Sequence, residues 1–129
     1  MLAVDTNVVV RYLTNDNVVQ SRVVRRLIDE NEIWVPHTVL LETEWVLRSL
    51  YAYSPEQVHA GLMAFIGLRN VSLEQPEKVA QALAWFGQHM DFADALHLVA
   101  STGCSAFATF DRKLAMRARK AKAGKVKAL

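Results

Sequence analysis

Short apolar runs that stop abruptly, alternating with longer segments of helical spacing, constrain this chain more than any other feature of it. Leu2-Ala3-Val4 halts at Asp5, Ile33-Trp34-Val35 halts at Pro36, and Ala106-Phe107-Ala108-Thr109-Phe110 halts at Asp111. Runs this short suit strands buried on both faces of a sheet. The reading along the chain is a strand at 2–5, helices at about 7–14 and 17–31, a strand at 33–36, and a helix from 38 to about 51 capped by Thr38. Ser54-Pro55-Glu56-Gln57 then opens a helix to about 67, with an N-cap, a first-turn proline and a capping-box glutamine. A strand at 70–73, helices at 76–89 and 91–102, a strand at 106–109 and a basic helix at 112–122 follow, with residues 126–129 as an added edge strand. Strands interleaved with helices predict one α/β domain over residues 1–129: three layers, α/β/α, around a central parallel sheet of four to five strands.

Composition narrows the chemistry. With 129 residues, 52% hydrophobic and 22% charged, the chain suits one folded core and argues against disorder. Cys104 is the lone cysteine, which excludes an internal disulfide and a thiolate-rich zinc site. His37, His59, His89 and His97 show no zinc-binding spacing. No glycine-rich phosphate loop or nucleophile elbow is present. No apolar run is long enough for a membrane span and no secretory leader is evident, so a cytoplasmic protein with no membrane partner is expected.

Charge is unevenly placed. Residues 1–111 hold seven Lys/Arg against thirteen Asp/Glu, a balance of −6, while 112–129 hold eight bases and no acid. An acidic body with a basic C-terminal segment suits a protein that binds metal in one place and phosphates nearby. The plainer reading is a cationic helix terminus plus a solubilising tail.

The acids carry the chemistry. Asp5 and Asp111 end apolar runs, and in an alternating fold strand C-termini share one edge, where ligands bind. Asp91 and Asp94 open a helix at i, i+3. Capping needs one of them, most naturally Asp91, which leaves Asp94 as the ligand candidate. On the 38–51 helix, Val39, Thr43, Val46 and Leu50 define an apolar face bordered by Glu42, which reads as the acid facing inward and so in need of a partner. Glu44 reads as a surface partner of Arg48 at i+4. Carboxylates gathered at one sheet edge repel one another and raise each other's pKa, which a hard divalent cation offsets. The expectation is therefore a Mg²⁺ or Mn²⁺ site.

In order and spacing, Val4-Asp5-Thr6-Asn7, Val39-Leu40-Leu41-Glu42 with Trp45-Val46-Leu47, Asp91-Phe92-Ala93-Asp94-Ala95-Leu96 and Thr109-Phe110-Asp111 resemble the PIN-domain family. The nearest likeness is to the VapC-type ribonuclease toxins of prokaryotic toxin–antitoxin pairs. The resemblance spans essentially the whole chain. It implies an acidic quartet of Asp5, Glu42, Asp94 and Asp111 as catalytic metal ligands for one or two Mg²⁺ or Mn²⁺ ions. Asp91 is then an extra ligand, a supporting group or simply the cap, and Asn7 and Thr109 support the carboxylates.

The implied activity is a metal-dependent endoribonuclease. A metal-activated water attacks the RNA phosphodiester and leaves 5′-phosphate and 3′-hydroxyl ends, with Arg112, Lys113 and Arg117 as candidates for holding the RNA backbone. The implied partners are an RNA substrate, a cognate antitoxin and a second copy of the chain, with Leu40, Leu41, Trp45, Val58, Leu62 and Phe65 offering apolar surface. Two alternatives stand beside this. One is a non-catalytic PIN-like interaction module whose acids are caps. The other is a phosphatase of the haloacid dehalogenase type using Asp5, although its acid/base position two residues later is Asn7 here.

Overall fold

The abrupt apolar runs do form strands. A computed structural model describes all residues from 1 to 129, and the chain divides into two compact units, Met1–Pro76 and Glu77–Leu129. In the first unit, β1 (Leu2–Ala3), β2 (Ile33–Val35) and β3 (Val71–Leu73) form a parallel sheet in the order β1-β2-β3. Leu2 lies opposite Ile33, and Ile33 opposite Val71. The central strand is the most enclosed: Ile33 and Val35 are fully buried. Four helices accompany the sheet: α1 (Thr6–Thr14), α2 (Val18–Glu30), α3 (His37–Leu50) and α4 (Pro55–Ile66). Val9, Val10, Leu40, Leu47, Val58, Leu62 and Phe65 supply much of their shared core.

Local chemistry sets the helix ends. Asn15 takes the left-handed conformation that stops α1, and the Asn17 side chain accepts from the Gln20 N–H (3.0 Å) to start α2. Tyr51, which follows α3, donates to Asp16 (2.7 Å) in this turn. That bond, with a second from Thr14, holds the Asp16 carboxyl below its ordinary range. The Ser54–Gln57 capping box is complete, with bonds of 3.1 and 2.8 Å. Ser54→Ala is expected to destabilise the protein by about 1 kcal/mol, the usual worth of such a cap, read as a lower urea midpoint with an unchanged slope.

The second unit contains α5 (Pro76–Gly87), which starts on the last residue of the first, then α6 (Phe92–Ala100), β4 (Phe107–Thr109), α7 (Arg112–Ala121) and β5 (Val126–Ala128). Strands β4 and β5 pair in parallel, joined by α7, with Phe107 opposite Val126 and Thr109 opposite Ala128. Its core is built from Val79, Leu83, Phe86, Phe92, Leu96, Val99 and Leu114. Within each unit every strand pairing is parallel, and the strands alternate with seven helices along the chain, as an α/β fold requires. They pair as three and two.

Three details depart from the sequence reading. Thr38 does not cap α3. The helix starts one residue earlier, after Pro36, and the His37 N–H is satisfied by the Glu74 carboxylate (2.9 Å), a partner 37 positions away. The inward acid of α3 is Glu44 rather than Glu42. Glu44 is only 4% exposed and bonds the Arg48 guanidinium at 2.7 Å, while Glu42 is exposed. The reason is that α3 packs against both α1 and α4. Its buried face runs through Leu40, Thr43, Glu44 and Leu47, turned by roughly 80° from the expected stripe at 100° per residue. Finally, Leu40, Val58, Leu62 and Phe65 lie in the core rather than on a docking surface. On α3 and α2 the exposed apolar side chains include instead Trp45 and Leu50, with Val18, Val19 and Val23.

Candidate active site

In the first unit the candidate residues meet where β1 turns into α1. The chain leaves the strand at Val4, and Asp5 takes the extended conformation of an N-cap. Its carboxylate accepts from the Val8 N–H at 3.4 Å, beyond the range of a good N–H···O bond. Asp5 is therefore only weakly committed to capping. The next residue, Thr6, is buried, and its hydroxyl donates to Glu42 Oε1 on α3 in a short hydrogen bond. That bond fixes an otherwise exposed glutamate beside the strand end. Asp5, Thr6, Asn7, Glu42 and Val46 line a cavity of about 220 Å³. Asp5 and Glu42 thus share one polar pocket, with Asn7 on its wall. Thr6 is the residue of this pocket that sequence reading missed. Its partner lies 36 positions away, and nothing local signals that its hydroxyl reaches a carboxylate rather than a cap.

In the second unit, Asp91 and Asp111 are well-formed N-caps. Asp91 accepts from the Asp94 N–H and Asp111 from the Leu114 N–H, both at 3.0 Å. Asp94 sits in the first turn of α6, half-buried. Burial pushes its carboxyl above the ordinary range, the negative charges of Asp91 and Asp111 push it further, and His97 opposes them in part. A first helical turn normally favours an anion; here desolvation and like charge outweigh the dipole. His97 itself stacks on Phe107 (6.4 Å between ring centroids, 11° between planes). Thr109 does not touch a carboxylate. Its hydroxyl accepts from the Asp111 N–H (2.9 Å) and so shapes the turn that carries that acid. Arg112, Lys113 and Arg117 are exposed on α7.

The donor set is all carboxylate, which suits Mg²⁺ or Mn²⁺ and disfavours zinc or copper. Within neither unit do three or more His, Cys, Asp or Glu form a group arranged to hold a metal ion. No helix is long and apolar enough to cross a membrane.

No curated protein matches the chain significantly. The family model of the PIN domain matches residues 2–120, a span that includes every acid discussed above. PIN domains are typically nucleases and generally use divalent metal ions. With its parallel α/β architecture and a match over nearly its full length, the chain belongs to the PIN-domain family, a nuclease fold.

Proposed function

We propose that the chain is a Mg²⁺- or Mn²⁺-dependent endoribonuclease, active as a single domain over residues 1–129, that serves in the cytoplasm as the toxin of a toxin–antitoxin pair. Asp5, Glu42, Asp94 and Asp111 would supply the carboxylate oxygens to one or two ions, with Asp91 capping α6 beside Asp94. The observation that carries the reading is Asp94, a half-buried acid whose pKa is raised first by burial and then by the charges of Asp91 and Asp111. A bound cation would offset that repulsion, and perturbed acids of this kind concentrate at functional sites. The shared pocket of Asp5 and Glu42 and the family match support it further.

When bound, the cation supplies activation of a water and neutralises charge on the phosphoryl oxygens. The chain's part is positioning. Thr6 holds Glu42 in place, Asn7 flanks Asp5, and Thr109 fixes the Asp111 turn. Arg112, Lys113 and Arg117, exposed on α7, would hold the RNA backbone. The water would release a proton to solvent as its oxygen bonds to phosphorus in line and the bond to the 3′ oxygen breaks, and the leaving oxygen would take a proton back from solvent. The products are a 5′-phosphate and a 3′-hydroxyl.

A cognate antitoxin and a second copy of the chain are the proposed protein partners. Trp45 and Leu50 on α3 and the valines of α2 offer the apolar surface for them. The experiment is direct. Purified protein is expected to cut total RNA with Mn²⁺ or Mg²⁺, to stop in EDTA, and to leave 5′ ends that accept label only after phosphatase treatment. Cutting that continues in EDTA would refute the metal mechanism.

A further inference from the structure

Phe110 stands apart from the other phenylalanines. Phe65, Phe86 and Phe92 are buried and Phe107 is half-covered. Phe110 is 82% exposed, more than any other large apolar side chain of the protein. It occupies the bend between β4 and the Asp111 cap, and that bend is held at both ends. The Asp111 N–H donates to Thr109 Oγ1 (2.9 Å), and the Asp111 carboxylate accepts from the Leu114 N–H (3.0 Å). Isolated exposed apolar residues are ordinary. An aromatic ring held out by a braced turn, at the head of a basic helix, is a more specific arrangement.

That helix is one-sided. Leu114, Ala115 and Ala118 face inward, while Lys113, Arg117 and Lys120 follow one another at i, i+4 and i+7 on the exposed side. Their successive axial spacings are about 6 and 4.5 Å, short enough for flexible side chains to meet consecutive phosphates of an extended single strand. The ion pairs of the chain join Arg11 to Asp16, Arg26 to Glu30, His37 to Glu74 and Arg48 to Glu44, and engage none of these bases. A cationic track beside an exposed aromatic ring is how proteins hold unpaired nucleic acid: the phosphates follow the charges and a base stacks on the ring.

We propose that Phe110 is a stacking platform for an unpaired base of the RNA substrate, with Lys113, Arg117 and Lys120 taking the phosphates that follow. The assignment rests on the nuclease reading and adds a demand to it. The RNA must be single-stranded where it meets Phe110, because a base within a duplex is stacked on its neighbours and has no free face.

The test uses the full chain in EDTA with a short single-stranded RNA carrying 2-aminopurine. Wild type is expected to quench the fluorophore on binding. Phe110→Ala is expected to lose the quench and bind roughly tenfold more weakly, within the range for one stacked base, with its salt dependence unchanged. Phe110→Trp should restore both, and Lys113→Gln should reduce the salt slope while keeping the quench. Phe110→Ala binding as wild type overturns the platform. So does a shift towards monomer in sedimentation with RNA binding intact, which would mark Phe110 as a contact between copies. Wild-type cleavage in Mn²⁺ separates the two readings. Cutting alongside normal Phe110→Ala binding removes the platform alone, whereas Phe110-dependent binding without any cutting removes the nuclease alone. Wild type that neither binds nor cuts removes both.

Discussion

Replacing Asp94 by asparagine should abolish cleavage and, at the same time, make the metal-free protein melt at a higher temperature. The two effects have one cause. Burial and the charges of Asp91 and Asp111 raise the Asp94 pKa in the folded state. A carboxyl whose folded pKa is raised contributes stability below its unfolded pKa and loses it as pH rises through the folded value. At neutral pH the ionised side chain is therefore a burden that asparagine removes. The melting advantage of Asp94→Asn should shrink as pH falls through the raised folded pKa and be gone once pH is below the ordinary aspartate value of 3.8, where folded and unfolded wild type are both neutral.

Metal reverses the order. Mn²⁺ at a hundred times its dissociation constant stabilises a protein that binds it by about 2.7 kcal/mol, so wild type should gain and Asp94→Asn should not. Cleavage should fall by about a thousandfold, since metal ligation contributes several kcal/mol to such reactions and each 1.36 kcal/mol is a factor of ten. Activity within tenfold of wild type, or a lower metal-free melting temperature, would contradict this account of Asp94.

The largest effect on stability should come from Phe65→Ala. Phe65 is fully buried on α4, with its ring 5.5 Å from that of Tyr12 on α1. Tyr12 in turn lies under the Arg25 guanidinium of α2, 4.7 Å from its ring centre. One side chain thus anchors a stack that joins three helices of the first unit. Truncating a buried phenylalanine typically costs about 3–5 kcal/mol, and a lost aromatic pair about 0.5–1.5 more. Against a total of about 5–15 kcal/mol for most domains, the variant should be severely destabilised or unfolded at 37 °C. Chemical denaturation followed by circular dichroism would measure it, and a loss below about 1 kcal/mol would show that the stack is not anchored there.

What the sequence revealed and what it hid follow from the range of the interactions. Strand ends at Asp5, Pro36 and Asp111, the Ser54–Gln57 box and the caps at Asp91 and Asp111 are set within a few residues, and all were legible. The interior face of α3 was not. Its pattern of Val39, Thr43, Val46 and Leu50 points one way, but contact with both α1 and α4 buries Leu40, Glu44 and Leu47 instead. Glu42 remained a sound candidate for a reason the pattern did not contain, namely the Thr6 hydroxyl. The start of α3 was hidden in the same way, because the group that satisfies its first N–H belongs to Glu74, just beyond β3. Partners separated by more than thirty residues leave no local trace in composition or periodicity.

The parallel pairing of β4 with β5 bears on how the chain comes off the ribosome. β4 and the acidic bend after it are made a whole helix before the strand that braces them, and the Phe107 N–H waits for the Lys125 carbonyl (2.8 Å). Until residues 125–128 have emerged, that bend has no sheet neighbour within its unit. During synthesis, then, the turn that carries Asp111 gains its sheet support only with the last residues of the chain.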